Sequence, residues 1–508
     1  MKEHLGLLGL DIGTSGCKAL LVDPQGIVLA SASEEYPLLT PRPGWAEQEP
    51  EQWWEASIGV LRQLSARSEA LGVKPVALGL TGQMHGSVFL NADGKPIRPA
   101  LLWNDARTAV ECQEMEERVG LQQLREIAGN PALTGFQAPK ILWLRNHEPD
   151  AYRQVHQVLL PKDFIRYRLT RGFATDASDA AGTLLLDLAK RDWSAEILGA
   201  LEIPHDWLPE VYEGPDVTGH LSTKAAQLTG LPQGLPVIAG GGDNAAAAVG
   251  SGVVAEGTAS VSVGTSGVIF AYSDQLKIDL NGALHAFCHA VPGKYHLMGV
   301  VLSAGGSLRW YRDTLAAEEF AAARQSGRDP YELLMDQAAQ VPPGAEGLFF
   351  LPYLAGERTP HMDPHARGAW VGLSLAHRKE HLVRALLEGV AFALKDSLVR
   401  TKALGVQPEA LRTVGGGVRS QLWRQIIAAV LGTPLQGLEV EEGPSFGAAL
   451  LAGVGAGVFR SVEEAVAHCV RPQEKANAPD SELKPLYQSL YHQYARLYPA
   501  LKGSGLWG

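Results

Sequence analysis

Cysteine is scarce in this chain. Cys17, Cys112, Cys288 and Cys469 are the only four in 508 residues, and no two form a CxxC pair. That spacing signals neither a zinc site nor a disulfide framework, and reduced thiols in a cytoplasmic protein are the simple reading. No run of 18 uncharged apolar residues occurs, so no membrane-spanning helix is expected. The N-terminal MKEHLGLLGLDIG has its apolar run broken by Asp11 and by glycines, which makes a poor secretory signal and a good first strand. Positive charge is also short. A net charge of −11 argues against a broad nucleic-acid or anionic-membrane surface, while leaving room for a local basic pocket. A Walker phosphate loop is missing: Lys95 and Lys294 follow glycines but lead into Pro96 and Tyr295, so any nucleotide site is of another type. The rest of the composition, 46% hydrophobic and 19% charged, is that of a globular protein with substantial cores, and the length suggests two to four domains.

The tetrapeptide Gly-Thr-Ser-Gly occurs twice, at 13–16 and 264–267, each time between apolar, β-branched runs. The first copy is preceded by Asp11, and the equivalent place in the second holds Ser262. Both read as β-hairpins. Such turns let backbone N–H groups approach an anion without an intervening Cβ, so two of them could grip a polyphosphate from opposite sides. Asp11 would repel bare phosphate but serve a Mg²⁺ ion, which takes one or two carboxylates plus phosphate oxygens and water. The alternative is a pair of tight turns with no ligand.

Residues 235–252, LPVIAGGGDNAAAAVGSG, read as a strand, three glycines and a helix starting near Asp243. Glycines 240–242 would permit close approach of a ligand, and the helix points free N–H groups at the loop. Asp243 is either an ordinary N-cap aspartate or a general base for a hydroxyl attacking a γ-phosphate. The segment also holds Gly240-x-Gly242-x-x-Ala245, a loose dinucleotide fingerprint that keeps a dehydrogenase open as a rival. Elsewhere the chain alternates strands and helices. VALGLTGQ (76–83) reads as a strand and SVFLNADGKPIRPALLW (87–103) as strand, turn, strand. Helices are expected over 105–130, 139–147 and 378–403, a strand–glycine–helix unit over 413–432, and a small-residue helix within 442–457. The spacing of the two turns, about half the chain, suggests two related α/β domains with a boundary near 250 and a cleft between them.

Five ordered segments resemble one family. DIGTSGCKALLVD, GFQAPKILWLRNH, GGGDNAAAAVGSG, GAWVGLSLAHRKEHLVRALLE and TVGGGVRSQLWRQI are similar to the FGGY sugar kinases of the actin-like ATPase superfamily, over about residues 5–455. TGQMHG (81–86), LLWNDAR (101–107) and FLPYLAGERTPHMDP (350–364) resemble the xylulokinase branch. The resemblance implies two actin-like, ribonuclease H-like domains, 1–250 and 251–508, each with a mixed five-stranded sheet flanked by helices and the active site in the interdomain cleft. It implies ATP- and Mg²⁺-dependent phosphorylation of D-xylulose at its 5-hydroxyl, with another sugar or polyol such as ribulose, or a non-kinase actin-like ATPase, as alternatives. Asp243 would be the catalytic base and Asp11 the metal ligand. Met84, His85 and Asn244 would bind sugar, with Trp103, and after it Asn104 and Asp105, as further candidates. Thr14 and Thr265 would contact phosphate, Gly305 the triphosphate, and Trp310, Gly416 and Gly417 the adenosine; Arg419 would reach a phosphate or ribose. The implied partner is a small-molecule sugar, without nucleic acid or membrane, in a cytoplasmic protein for which a homodimer is compatible.

Overall fold

A computed structural model describes residues 4–505; the first and last three residues of the domain ranges expected above lie outside it. Two sheets carry the fold. In the first, strands run in the order Val217–His220, Pro236–Ile238, Val73–Gly82, His4–Ile12, Gly16–Val22 and Val28–Glu35, and Gly241–Gly242 adds a seventh pairing to Val73–Gly82. In the second the order is His285–Cys288, Tyr295–Val301, Gly267–Ser273, Thr258–Val263, Ala410–Val414 and Leu435–Gln436. The counts are seven and six rather than five each, because short edge segments extend both sheets.

The centres of the two sheets match. His4–Ile12 pairs antiparallel with Gly16–Val22 and parallel with Val73–Gly82; Thr258–Val263 pairs antiparallel with Gly267–Ser273 and parallel with Ala410–Val414. A parallel neighbour needs a crossover. Helix Pro50–Leu71 supplies it in the first half, burying Trp53, Val60, Leu61 and Leu64, and helix Lys379–Ala403 lies between the paired strands of the second. In the hairpins Asp11 faces Lys18 and Ser262 faces Val268. The charged pair is therefore a property of the first sheet alone.

One helix lies on the first sheet at backbone contact, and a second lies on that helix equally closely. A Cβ on Gly9 would overlap the Ser445 carbonyl oxygen, one on Gly79 the Ala448 carbonyl, and one on Gly447 the Ala246 carbonyl. Helices Asp243–Gly250 and Pro444–Gly455 consequently cross each other, the latter against the sheet, and Phe446, Leu450 and Leu451 enter one core with Leu7, Leu20 and Ala77. The small residues of 442–457 are explained by this approach. The chain thus returns to the first sheet after completing the second, and the start of the Asp243 helix is clamped from behind.

The expected 105–130 helix is broken at Gly120 into Ala109–Val119 and Leu121–Ala128. The 139–147 helix begins two residues earlier, at Gln137, so Pro139 stands inside the first turn, where its missing N–H is harmless. Among the described residues no helix is long and apolar enough to cross a membrane.

Candidate active site

Asp243 is the first residue of its helix, and Gly242 holds the N-cap position. Its Oδ1 accepts from the backbone N–H of Asn244 at 2.7 Å and from Asn244 Nδ2 at 3.0 Å. It stands one residue inside the N-cap, and its only bonds are to the adjacent Asn244, so the N-cap reading does not describe it. Oδ2 has no protein donor among the described residues. The side chain is half-buried, and its carboxyl is pushed up to about 6, first by burial and against the pull of Asn244.

Asp11 is the next-to-last residue of the strand His4–Ile12. Its carboxyl is pushed up to about 7 by burial and then by the charge of Asp243, while Lys18 across the hairpin pulls it down. Asp11 Oδ1 is buried without a hydrogen-bond partner. Lys18 is itself ion-paired to Glu442 at 2.5 Å. Both carboxylates are thus desolvated, and the charge of Asp243 adds to the cost of ionising Asp11. An orphaned carboxylate oxygen suits a hard cation. Among the described residues no three His, Cys, Asp or Glu side chains converge as a ligand cage, so a cation here would draw most of its ligands from phosphate and water.

The two Gly-Thr-Ser-Gly turns differ in how they are held. Gly13 N–H closes the first turn on the Gly16 carbonyl at 3.0 Å, and Gly264 N–H closes the second on the Ser266 carbonyl at 2.9 Å. In both, the two central N–H groups, of Thr14 and Ser15 and of Thr265 and Ser266, have no acceptor in the described protein. Side chains grip the first turn: Tyr36 donates to the Gly13 carbonyl at 2.5 Å, Gln48 to the Thr14 carbonyl at 2.7 Å, and Trp103 Nε1 to Thr14 Oγ1 at 2.9 Å. Thr14 Oγ1 donates onward to Gln83 Oε1 at 3.3 Å. The second turn caps the helix Gly305–Leu315, with the Gly264 carbonyl accepting from Gly305 N–H and the Thr265 carbonyl from Ala304 and Gly306. The missing Cβ of Gly305 makes room for that Gly264 carbonyl.

His85 lies just beyond the strand Val73–Gly82 with φ of 68°, and its Nδ1 donates to the Gly182 carbonyl at 2.6 Å. Burial holds the imidazole down at about 3, helped by the charges of Lys140 and Arg358, so it is neutral with Nε2 as an acceptor. Phe136 packs on the ring with centroids 4.5 Å apart. Met84 is buried, and its thioether fills the space over Gly242 and Gly182. It therefore couples the Met84–His85 loop to the start of the Asp243 helix. Trp103 is 45% exposed, and Asn104 is exposed beside it. Asp105 is buried, bound by Ala46 N–H at 2.7 Å and paired with Arg107 at 2.7 Å, which fixes the loop rather than facing solvent.

On the opposite side Trp310 is 37% exposed and lies 5.9 Å from Trp370. Gly416 has nothing within 4 Å of where a Cβ would stand, whereas Gly417 packs against Val263 and Trp423. Arg419 is exposed. A depression of about 640 Å³ on the first half, lined by Lys95, Arg98, Tyr167 and Lys224 among others, includes neither Asp11 nor Asp243.

Glycines 240–242 do not lie open to a ligand, contrary to expectation. A Cβ at Gly240 would strike the Leu80 carbonyl, one at Gly241 would press on Ala290 and Ser178, and one at Gly242 would meet Met84. These glycines pack the loop. Gly242 N–H donates to Ser178 Oγ at 3.1 Å, which donates to Asp176 Oδ2 at 2.5 Å, and Asp176 Oδ1 pairs with the fully buried Lys162 at 2.9 Å. Sequence reasoning missed this support, and also Gln83, Lys140 and Arg358. Gln83 stands inside the TGQMHG segment and Arg358 inside FLPYLAGERTPHMDP, so position in a matched segment was the available signal; for the Lys162 network no spacing gave one.

Two family models match the chain: FGGY family of carbohydrate kinases, N-terminal domain, over residues 7–250, and the C-terminal domain of the same family over 259–456. The xylulose kinase of Escherichia coli (strain K12) is 44% identical over 97% of this chain and 99% of its own length. That of Bacillus subtilis (strain 168) is 38% identical over 98% and 97%. The crystal structure of xylulose kinase from Rhodospirillum rubrum is 33% identical and superposes with a TM-score of 0.91, covering 98% of this chain and 99% of that one. The paired hairpin turns, the two facing carboxylates and these matches agree, and the chain belongs to the FGGY family of carbohydrate kinases.

Proposed function

We propose that this kinase transfers the γ-phosphoryl group of ATP to the 5-hydroxyl of D-xylulose. The observation that carries the reading is the placement of Asp243: a desolvated carboxylate with one free oxygen at a helix start, beside Asp11 and within the same packed unit as the Met84–His85 loop. The full-length identity to xylulose kinases supports the sugar. Neither the dehydrogenase nor the filament reading accounts for this pairing.

Asp243 Oδ2 accepts the proton of the attacking hydroxyl as its oxygen forms a bond to the γ-phosphorus and the bond to ADP breaks. Positioning contributes more than base strength in such a step. His85 Nε2 accepts from a sugar hydroxyl, Asn244 orients both Asp243 and the sugar, and Trp103 covers its face. The free N–H groups of Thr14 and Ser15 face phosphate from one side and those of Thr265 and Ser266 from the other, with Gly305, Gly416, Gly417 and Trp310 along the nucleotide. Asp11 would hold Mg²⁺, which neutralises charge developing on the phosphate oxygens. Sugar then lies against the half at 1–250 and nucleotide against that at 251–508, and closure of the two excludes water as a competing acceptor.

The test is ADP release from ATP with D-xylulose, D-ribulose, L-xylulose, gluconate and glycerol in parallel. D-xylulose should give the highest kcat/KM and no sugar only background turnover. A higher kcat/KM on another acceptor would reassign the substrate, and turnover independent of any acceptor would remove the kinase step.

A further inference from the structure

Lys140, on the helix Gln137–His147, has no exposed surface. Its ammonium donates to the His85 carbonyl at 3.0 Å and to the Gly135 carbonyl. Among the described residues no carboxylate lies within ion-pairing distance; Asp105 acts from farther away and is already bound by Arg107. Burying an ammonium against carbonyls alone is costly, and a leucine or methionine would fill the same space without that cost. Packing therefore does not account for a lysine here.

The two carbonyls belong to two different loops. His85 stands in the left-handed region at φ 68°, a strained place for a residue with a Cβ. Gly135 packs so closely on Trp103 that a Cβ would lie 2.7 Å from the Trp103 carbonyl oxygen. One ammonium thus ties the loop carrying Met84 and His85 to the segment that backs Trp103. We propose that Lys140 is a positioning residue for the acceptor sugar, holding these two loops in register, and that its charge sets the affinity for the sugar. The inference rests on the reading of His85 and Trp103 as acceptor-site residues.

Charge matters because a charged donor makes roughly twice as strong a hydrogen bond as a neutral amine. Burial holds the ammonium down at about 7. The groups facing it are Asp105, which favours the charge, the Cys112 thiol on helix Ala109–Val119, the Arg107 guanidinium, which opposes it, and His85, neutral throughout this range. The lysine is charged below about 7 and loses its proton above, so the sugar binds more tightly at pH 6 than at pH 8.5.

Binding of D-xylulose without nucleotide, followed by tryptophan fluorescence from pH 6 to 8.5, tests this with the full chain. The wild type should weaken by about five-fold across that range. Lys140→Arg should flatten the slope relative to the wild type, because arginine stays charged while Asp11 and Asp243 titrate in both proteins. Lys140→Met should raise the sugar KM by about ten-fold or more and leave the KM for ATP within about two-fold. A flat wild-type profile, an unchanged slope in Lys140→Arg, or an unchanged sugar KM in Lys140→Met overturns the proposal. If Lys140→Met does not fold, the slopes of the wild type and Lys140→Arg still decide. His85→Asn separates the two levels: if it leaves the sugar KM unchanged the acceptor-site reading fails and this proposal with it, and if it raises KM while the Lys140 variants do not, the tie alone fails.

Discussion

Replacing Asp243 with asparagine should remove activity and stabilise the protein. The amide side chain of Asp243→Asn keeps an oxygen for the two donors of Asn244, so the helix start need not rearrange. What disappears is the base and the buried charge. Loss of a positioned general base lowers kcat by about 10²- to 10⁴-fold. The stability gain follows from the raised carboxyl: a shift from 3.8 to about 6 caps the burial cost at about 3 kcal/mol, and solvent reaching this half-buried group reduces it to roughly half. The sign fixes the pH window. A carboxyl raised in the folded state disfavours folding only where it is ionised, so the gain is full above about pH 7 and vanishes below about pH 4. ADP release with saturating D-xylulose measures the first effect, ATP binding should persist, and thermal unfolding at pH 8 and pH 5 measures the second. At pH 8 the variant should melt a few degrees higher than the wild type, and the difference should shrink at pH 5. Turnover within about ten-fold of wild type, or a variant less stable than wild type at pH 8, refutes the argument.

Binding of MgADP at pH 6 should release close to one proton per site, since a cation at Asp11 displaces the proton held there up to about pH 7, and the release should fall away by pH 8.5; calorimetry in two buffers of different ionisation enthalpy reads it, and Asp11→Asn should abolish it. Gly447→Ala pushes a methyl group into the Ala246 carbonyl where two helices cross, and should cost about 1 to 3 kcal/mol, seen as a lowered unfolding temperature. Cys17, Cys112, Cys288 and Cys469 are all buried, and burial raises each thiol, so a thiol-reactive dye should label the native protein slowly and the denatured protein at four sites.

The residues by themselves determined a good deal. Repeated apolar runs around Gly-Thr-Ser-Gly specify two similar hairpins because side-chain alternation and a glycine turn are local properties, and both formed where expected, as did the helix starting at Asp243. The acid at 11 and the serine at 262 were legible as a difference between the halves. Tertiary structure decided what no window of sequence contains. Gly240, Gly241 and Gly242 read as ligand-facing because a glycine run has the same appearance whether a phosphate or a strand approaches it; the carbonyl of Leu80, 160 positions away, settles which. The small residues near 447 have their reason in the Ala246 backbone, and Lys140 in the carbonyls of His85 and Gly135. A carboxyl raised to about 6 at Asp243 is likewise a property of burial, and one raised to about 7 at Asp11 of burial and of the Asp243 charge, and these arise only when a strand and a helix far apart in the chain are packed together.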